Sequence, residues 1–125
     1  MDLGTILFIH GRIANAAWLY MLILAVWNVV NYVRGQGLDG NMMGALAVGV
    51  LLMLTQAGLG LTMWLVFGFP PISLVHVLYG SLAVLSLPAI WVYTRGAIDR
   101  RASLIWAIAG LFMFGLTLRA IGTAT

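Results

Sequence analysis

Cysteine, lysine and glutamate are all absent from the chain. Without cysteine there can be no disulfide, no thiolate-held iron–sulfur cluster, no cysteine-type zinc site and no covalently attached c-type haem. Charge of either sign is scarce, since three aspartates and six arginines make up only 7% of the residues. The sequence contains no paired carboxylates, no nucleophile–base pair and no phosphate-binding loop. We therefore expect no enzymatic activity from the chain by itself.

What the chain has in excess is apolar surface. Apolar residues make up 63% of its 125 residues, whereas a soluble domain is roughly half apolar and about a quarter charged. A chain of this length has too little interior to hide so many apolar side chains from water, so lipid must be the solvent for most of its surface. The arginines stand at the ends of apolar runs, which is typical of membrane-interface anchors and not of a nucleic-acid partner.

Four apolar runs are separated by three short polar breaks, at residues 5–33, 42–67, 72–94 and 102–121. Each has about 20 residues or more, enough for a helix to cross a hydrocarbon core of roughly 30 Å. Short loops make neighbouring helices antiparallel. The sequence thus predicts one domain of the all-α class, an integral membrane four-helix up-down bundle. The first run is too long for a signal peptide and has no basic residue before it, so we expect it to be retained.

Arginine bias predicts the orientation of the bundle. The first and third loops hold four of the six arginines, Arg34, Arg95, Arg100 and Arg101. Cytoplasmic loops carry an excess of basic residues. We therefore expect these loops in the cytoplasm and both termini outside, in a membrane such as the bacterial inner membrane.

The two histidines, His10 and His76, are the most informative polar residues. They lie five and four residues after the start of the first and third runs, which have the same direction in an up-down bundle, so the two imidazoles should share one depth. Each is followed at offsets of four and seven by small side chains: Ala14 and Ala17 after His10, Gly80 and Ala83 after His76. Such offsets lie on one helix face, and the stripes would leave a flat slot for a porphyrin plane.

These residues predict that His10 and His76 are the axial metal ligands of one haem b, with Ala14 and Gly80 beside it. Arg12 and Arg119 stand at the same end, either as propionate partners or as side chains that snorkel to the interface. Other interpretations stay open. Small residues also serve close helix packing, and a histidine near a helix end can bond to water or headgroups. Chlorophyll would need one histidine only, and zinc would need a third ligand.

The paired histidines, each with a small residue one turn on, resemble the cytochrome b561-type and haem A synthase-type membrane bundles. The stretch from Gln56 to Gly60, followed by His76 to Gly80, is similar to the latter family, and the resemblance covers about the middle third of the chain. Those families often have more histidines. The resemblance therefore implies at most one haem here.

The function predicted from the sequence is that of a small membrane subunit that binds one b-type haem and transfers electrons within a respiratory or photosynthetic complex. Its partners would be membrane lipid and larger subunits, packed through small-residue faces such as Ala45 and Gly49. The competing hypothesis is a structural subunit without a cofactor. A transporter component is disfavoured because no charged residue lies near mid-membrane.

Overall fold

A computed structural model describes residues 2–71 and 73–123 of the chain. Within these residues the only regular elements are four helices: α1 (Leu3–Val33), α2 (Gly40–Leu65), α3 (Leu74–Thr94) and α4 (Arg100–Thr123). Each is long and apolar enough to cross a membrane. The all-α, four-helix class predicted from the sequence is confirmed.

Polar residues before the apolar runs set the helix starts. The Asp39 carboxylate accepts a hydrogen bond from the Met42 amide at 2.8 Å, and Asp99 accepts one from the Ala102 amide at 3.0 Å. A side chain that accepts from an amide of the first turn is an N-cap. These two helices accordingly begin two residues earlier than the apolar runs at 42 and 102 predicted.

The other two helices begin in the same way. Asp2 caps α1 through the Thr5 amide at 2.7 Å, and Ser73 caps α3 through the His76 amide at 3.2 Å. The predicted start of the third helix, residue 72, lies outside the described residues. At its other end α2 stops at Leu65 instead of residue 67, because the chain turns through Gly68 at a φ of 64°. Helix α4 continues to Thr123, two residues beyond the predicted end.

The helices form a ring in which each packs against two others. Helix α1 packs against α2 and α4, and α3 packs against the same two, while within the described residues no backbone contact joins α1 to α3 or α2 to α4. Helices α1 and α3 are therefore diagonal. The closest seam lies between α1 and α4, where a Cβ on Gly110 would lie 2.9 Å from the Ala25 backbone.

The interior is narrow and rich in methionine. Met21, Met42 and Met113 are completely buried, as are the side chains of Asn28 and Ser103. Methionine is flexible and fills irregular gaps of this kind. In contrast, large apolar side chains on all four helices are more than half exposed: Ile23, Leu51, Leu85 and Ile108. Such a surface is suited to lipid and not to water.

The first and third loops contact each other at the end that holds the four arginines. The Leu38 amide donates to the Ile98 carbonyl at 2.9 Å, and a Cβ on Gly37 would lie only 1.9 Å from that carbonyl oxygen. Ser103 also donates from its hydroxyl to the Gln36 carbonyl at 2.8 Å. Only glycine fits at position 37, and the two loops form one joined polar cap.

The small-residue face predicted to meet partner subunits lies inside the bundle. A Cβ on Gly49 would contact Leu87, Tyr20 and Met21 at 3.3–3.5 Å, and the Ala45 carbonyl accepts a hydrogen bond from the Tyr20 hydroxyl. Gly49 is buried and Ala45 is partly buried, so this face does not lie on the outside of the bundle as the sequence predicted. These small residues let α2 approach its own neighbours.

Candidate cofactor site

The two histidine rings meet at the end of the bundle opposite the joined loops. The ring centroids of His10 and His76 are 6.5 Å apart, with an angle of 75° between the ring planes. Because α1 and α3 are diagonal and make no backbone contact, the two imidazoles reach towards each other across the middle of the bundle. The structure thus brings together the pair that the sequence placed at one depth.

His76 is oriented by its surroundings. Its Nδ1 lies 2.9 Å from the Ala120 carbonyl oxygen on α4, and its backbone amide is held by the Ser73 cap. A carbonyl can only accept, so in neutral His76 the proton is on Nδ1 and the lone pair is on Nε2. A histidine that ligates a metal through Nε2 generally donates its other N–H in this way.

His10 has unused hydrogen-bonding capacity. Its ring lies against α2, with Cε1 3.8 Å from the point where a Cβ on Gly60 would be. Its Nδ1 is buried and has no partner within the described part of the chain, and the same is true of the Oε1 atom of Gln56, one turn before Gly60. An unsatisfied buried polar atom costs about 1–3 kcal/mol, so the Nδ1 of His10 and the Oε1 of Gln56 mark positions that a ligand or water would complete.

The small residues beside the histidines are only partly open. Ala14 and Gly80 are half-buried, and a Cβ on Gly80 would meet no atom within 4 Å. One turn deeper, Ala17 and Ala83 are buried and packed in the hydrophobic core. The slot predicted from the two stripes therefore does not extend below the level of Gly80.

The two arginines at this end lie on the rim. The Arg12 side chain is exposed, and its guanidinium carbon lies 5.2 Å from the ring centroid of Phe8, one turn earlier on α1. Arg119 is also exposed and directly precedes Ala120, whose carbonyl contacts His76. Both are placed to meet a charged group at the membrane surface.

The number of ligands limits the chemistry. No cluster of three or more histidine, cysteine, aspartate or glutamate side chains occurs in residues 2–71 and 73–123. Catalytic zinc is held by three protein ligands and structural zinc by four, so a bare ion of this kind does not fit. A haem brings its own four equatorial nitrogens and would need only axial ligands from the protein, a requirement that two histidines could meet.

Three further residues of this site, Gly60, Ala120 and Gln56, were not assigned to it from the sequence. Gly60 and Ala120 contribute backbone, which no side-chain pattern reports, and Gln56 has the appearance of an ordinary interhelical hydrogen-bonding residue. The only sequence feature that could have indicated this part of the site is the position of Gln56 one turn before Gly60. Comparisons with known proteins add no further assignment, because no protein-family model, no curated protein and no solved structure matches the chain.

Proposed function

We propose that the chain is a small membrane subunit that holds one b-type haem between His10 and His76 and takes part in electron transfer within a larger membrane complex of respiratory or photosynthetic type. The observation that carries the proposal is the 6.5 Å separation of the two ring centroids. Metal–imidazole bonds are about 2 Å long, and two of them with the two ring radii place the centroids roughly 6 Å apart. The diagonal histidines are thus already near the spacing of two ligands on one iron.

Each neighbouring group has a definite part in this proposal. The Ala120 carbonyl accepts from Nδ1 of His76 and fixes the tautomer whose Nε2 carries the lone pair that a metal would need. Gln56 offers an acceptor one turn from Gly60, against which the His10 ring lies. Arg12 and Arg119 would pair with the propionates at the rim. A b-type haem with two imidazole ligands supplies one-electron transfer.

Orientation and location belong to the same proposal. Four arginines at the joined loops against two at the histidine end favour a cytoplasmic position for the loops under the positive-inside rule. The termini and the histidine pair then lie towards the outer surface of a bacterial inner membrane.

A subunit without a cofactor is the second candidate, and two observations favour it. The histidine rings form an edge-to-face pair with each other, and Ala17 and Ala83 close the lower part of the slot. In this alternative the imidazoles join α1 to α3 across the bundle, and the apolar surface fills a groove in a larger complex.

The absorbance spectrum of the protein, isolated together with its natural complex, decides between the two. The haem proposal predicts a bis-histidine spectrum that is lost in H10A and in H76A and is kept in N15A, a matched change at an exposed position of α1. It also predicts that R12Q and R119Q shift the reduction potential more than they lower the haem content. If the wild-type protein contains no haem, or if N15A loses it as H10A does, the proposal fails and the structural subunit takes its place.

A further inference from the structure

The seam between α3 and α4 carries a groove that no part of the proposed function uses. Its apolar part has a volume of about 400 Å³ and is lined by side chains such as Ile90, Ile108 and Phe112. A polar part of about 300 Å³ adjoins it at the end of the joined loops, and its lining includes Arg95 and Arg101. Tyr93 and Ile105 line both parts, so the two parts adjoin at these residues.

The polar part is basic. Arg95 is the residue that directly follows α3, and its backbone is in the left-handed conformation with a φ of 54°. Glycine adopts this conformation most readily, but here the residue is an arginine. Arg101 lies in the first turn of α4, and both side chains are exposed. The carboxylate of Asp99, which also lines this part, accepts the Ala102 amide as the cap of α4.

The third arginine of this loop is engaged elsewhere. The Nε of Arg100 donates to the Tyr32 carbonyl at 2.8 Å, and its guanidinium lies 4.1 Å above the Tyr32 ring. Arg100 therefore holds the end of α1. Arg95 and Arg101 remain as the cations that line the groove.

We propose that this groove is a binding site for an anionic phospholipid, with the phosphate at Arg95 and Arg101 and an acyl chain along the apolar part. The order of the two parts is that of a lipid in its leaflet, because the basic end lies at the membrane surface and the apolar end lies deeper. From Arg101 to Phe112 the helix rises roughly 16 Å, which is about the hydrocarbon depth of one leaflet. Basic pockets between transmembrane helices are known sites for anionic headgroups.

The test uses the purified wild-type chain in a mild detergent and native mass spectrometry. Phosphatidylglycerol and phosphatidylcholine with identical acyl chains are the two probes. We expect phosphatidylglycerol to bind about 30-fold more tightly, from two arginines at about 1 kcal/mol each. Excess inorganic phosphate should leave the lipid bound, because the acyl chain also contributes. Equal binding of the two lipids, or displacement by phosphate alone, would overturn the proposal.

Matched variants separate the two parts of the groove. R95Q/R101Q should abolish the preference for phosphatidylglycerol, whereas R95K/R101K should keep it. The control is R34Q, which removes an exposed arginine of the other loop and should leave the preference unchanged. For the apolar part, A89F places a ring in the groove and should weaken both lipids, whereas A47F, at an exposed position of α2, should weaken neither. A loss of preference in R34Q equal to that in R95Q/R101Q, or undiminished binding in A89F, would contradict the assignment.

Discussion

Gly110 is the residue at which α4 comes closest to α1. A Cβ at this position would lie 2.9 Å from the Ala25 backbone nitrogen and Cα, and backbone atoms cannot move aside as a flexible side chain can. Gly115, five residues further along the same helix, has no atom within 4 Å of the corresponding point. The two glycines therefore differ in their surroundings and share their helix.

We predict opposite effects of alanine at these two positions. G110A forces the closest seam apart and should lower the free energy of unfolding by about 1–3 kcal/mol, the usual cost of overpacking. G115A should raise it or leave it unchanged, because alanine is a better helix former than glycine by up to about 1 kcal/mol. Unfolding in mixed detergent micelles, followed by circular dichroism, measures both. Equal effects of the two variants would show that the α1–α4 approach is not the cause.

The residues of the site differ in how far the sequence could predict them. Loop lengths and apolar runs fix the depth of a side chain, so the approach of His10 and His76 could be foreseen from their positions alone. The rotation of each helix about its axis could not, since core and lipid are both apolar and the helices are apolar all round. For this reason Gly49 was expected on the outside and lies inside.

At the scale of the helices, caps decide where each one begins. All three acidic residues of the chain, Asp2, Asp39 and Asp99, are N-caps. Hydropathy located the four spans but read these aspartates as loop residues, and so missed the start of three helices by two residues each. The boundaries were missed because an N-cap residue is polar and lies outside the apolar run, although it determines where the helix begins.

The cap of α1 should make the start of that helix sensitive to acid. The hydroxyl of Thr5, followed by its backbone N–H, holds the pKa of Asp2 below its ordinary range by hydrogen bonds to the carboxylate. A lowered pKa means that the stabilisation is complete above the ordinary value and is lost as the pH falls through the lowered one. We predict that exchange protection of the Thr5 amide decreases over that acidic interval.

The matched variant for this prediction is D2N. Asparagine is as good an N-cap as aspartate but does not titrate, so its Thr5 amide should keep the same protection across the interval. Amide hydrogen exchange measured by nuclear magnetic resonance in micelles follows both proteins. A decrease of equal size in D2N would assign the change to another group.

For the molecule as a whole, the two ends of the bundle have different characters. At one end lie the joined loops, four arginines and the basic part of the proposed lipid groove, and at the other lie the histidine pair and two rim arginines. The orientation of the bundle decides in which leaflet each of the two proposed sites lies. If both termini are outside, the proposed haem lies near the outer surface and the proposed anionic lipid lies in the cytoplasmic leaflet.

The orientation can be measured directly because the chain contains no cysteine. We predict that Q36C, in the first loop, is not labelled by an impermeant maleimide in intact cells and is labelled once the membrane is permeabilised. F69C, in the exposed loop between α2 and α3, should be labelled in intact cells. L85C, at a lipid-exposed position of α3, should resist the reagent in both conditions and serves as the control for leakage. The prediction rests on the cost of moving arginine-rich loops across the membrane, from which we expect four of the six arginines to stay in the cytoplasm. Labelling of Q36C but not of F69C in intact cells would invert the bundle, and it would move the histidine pair to the cytoplasmic leaflet.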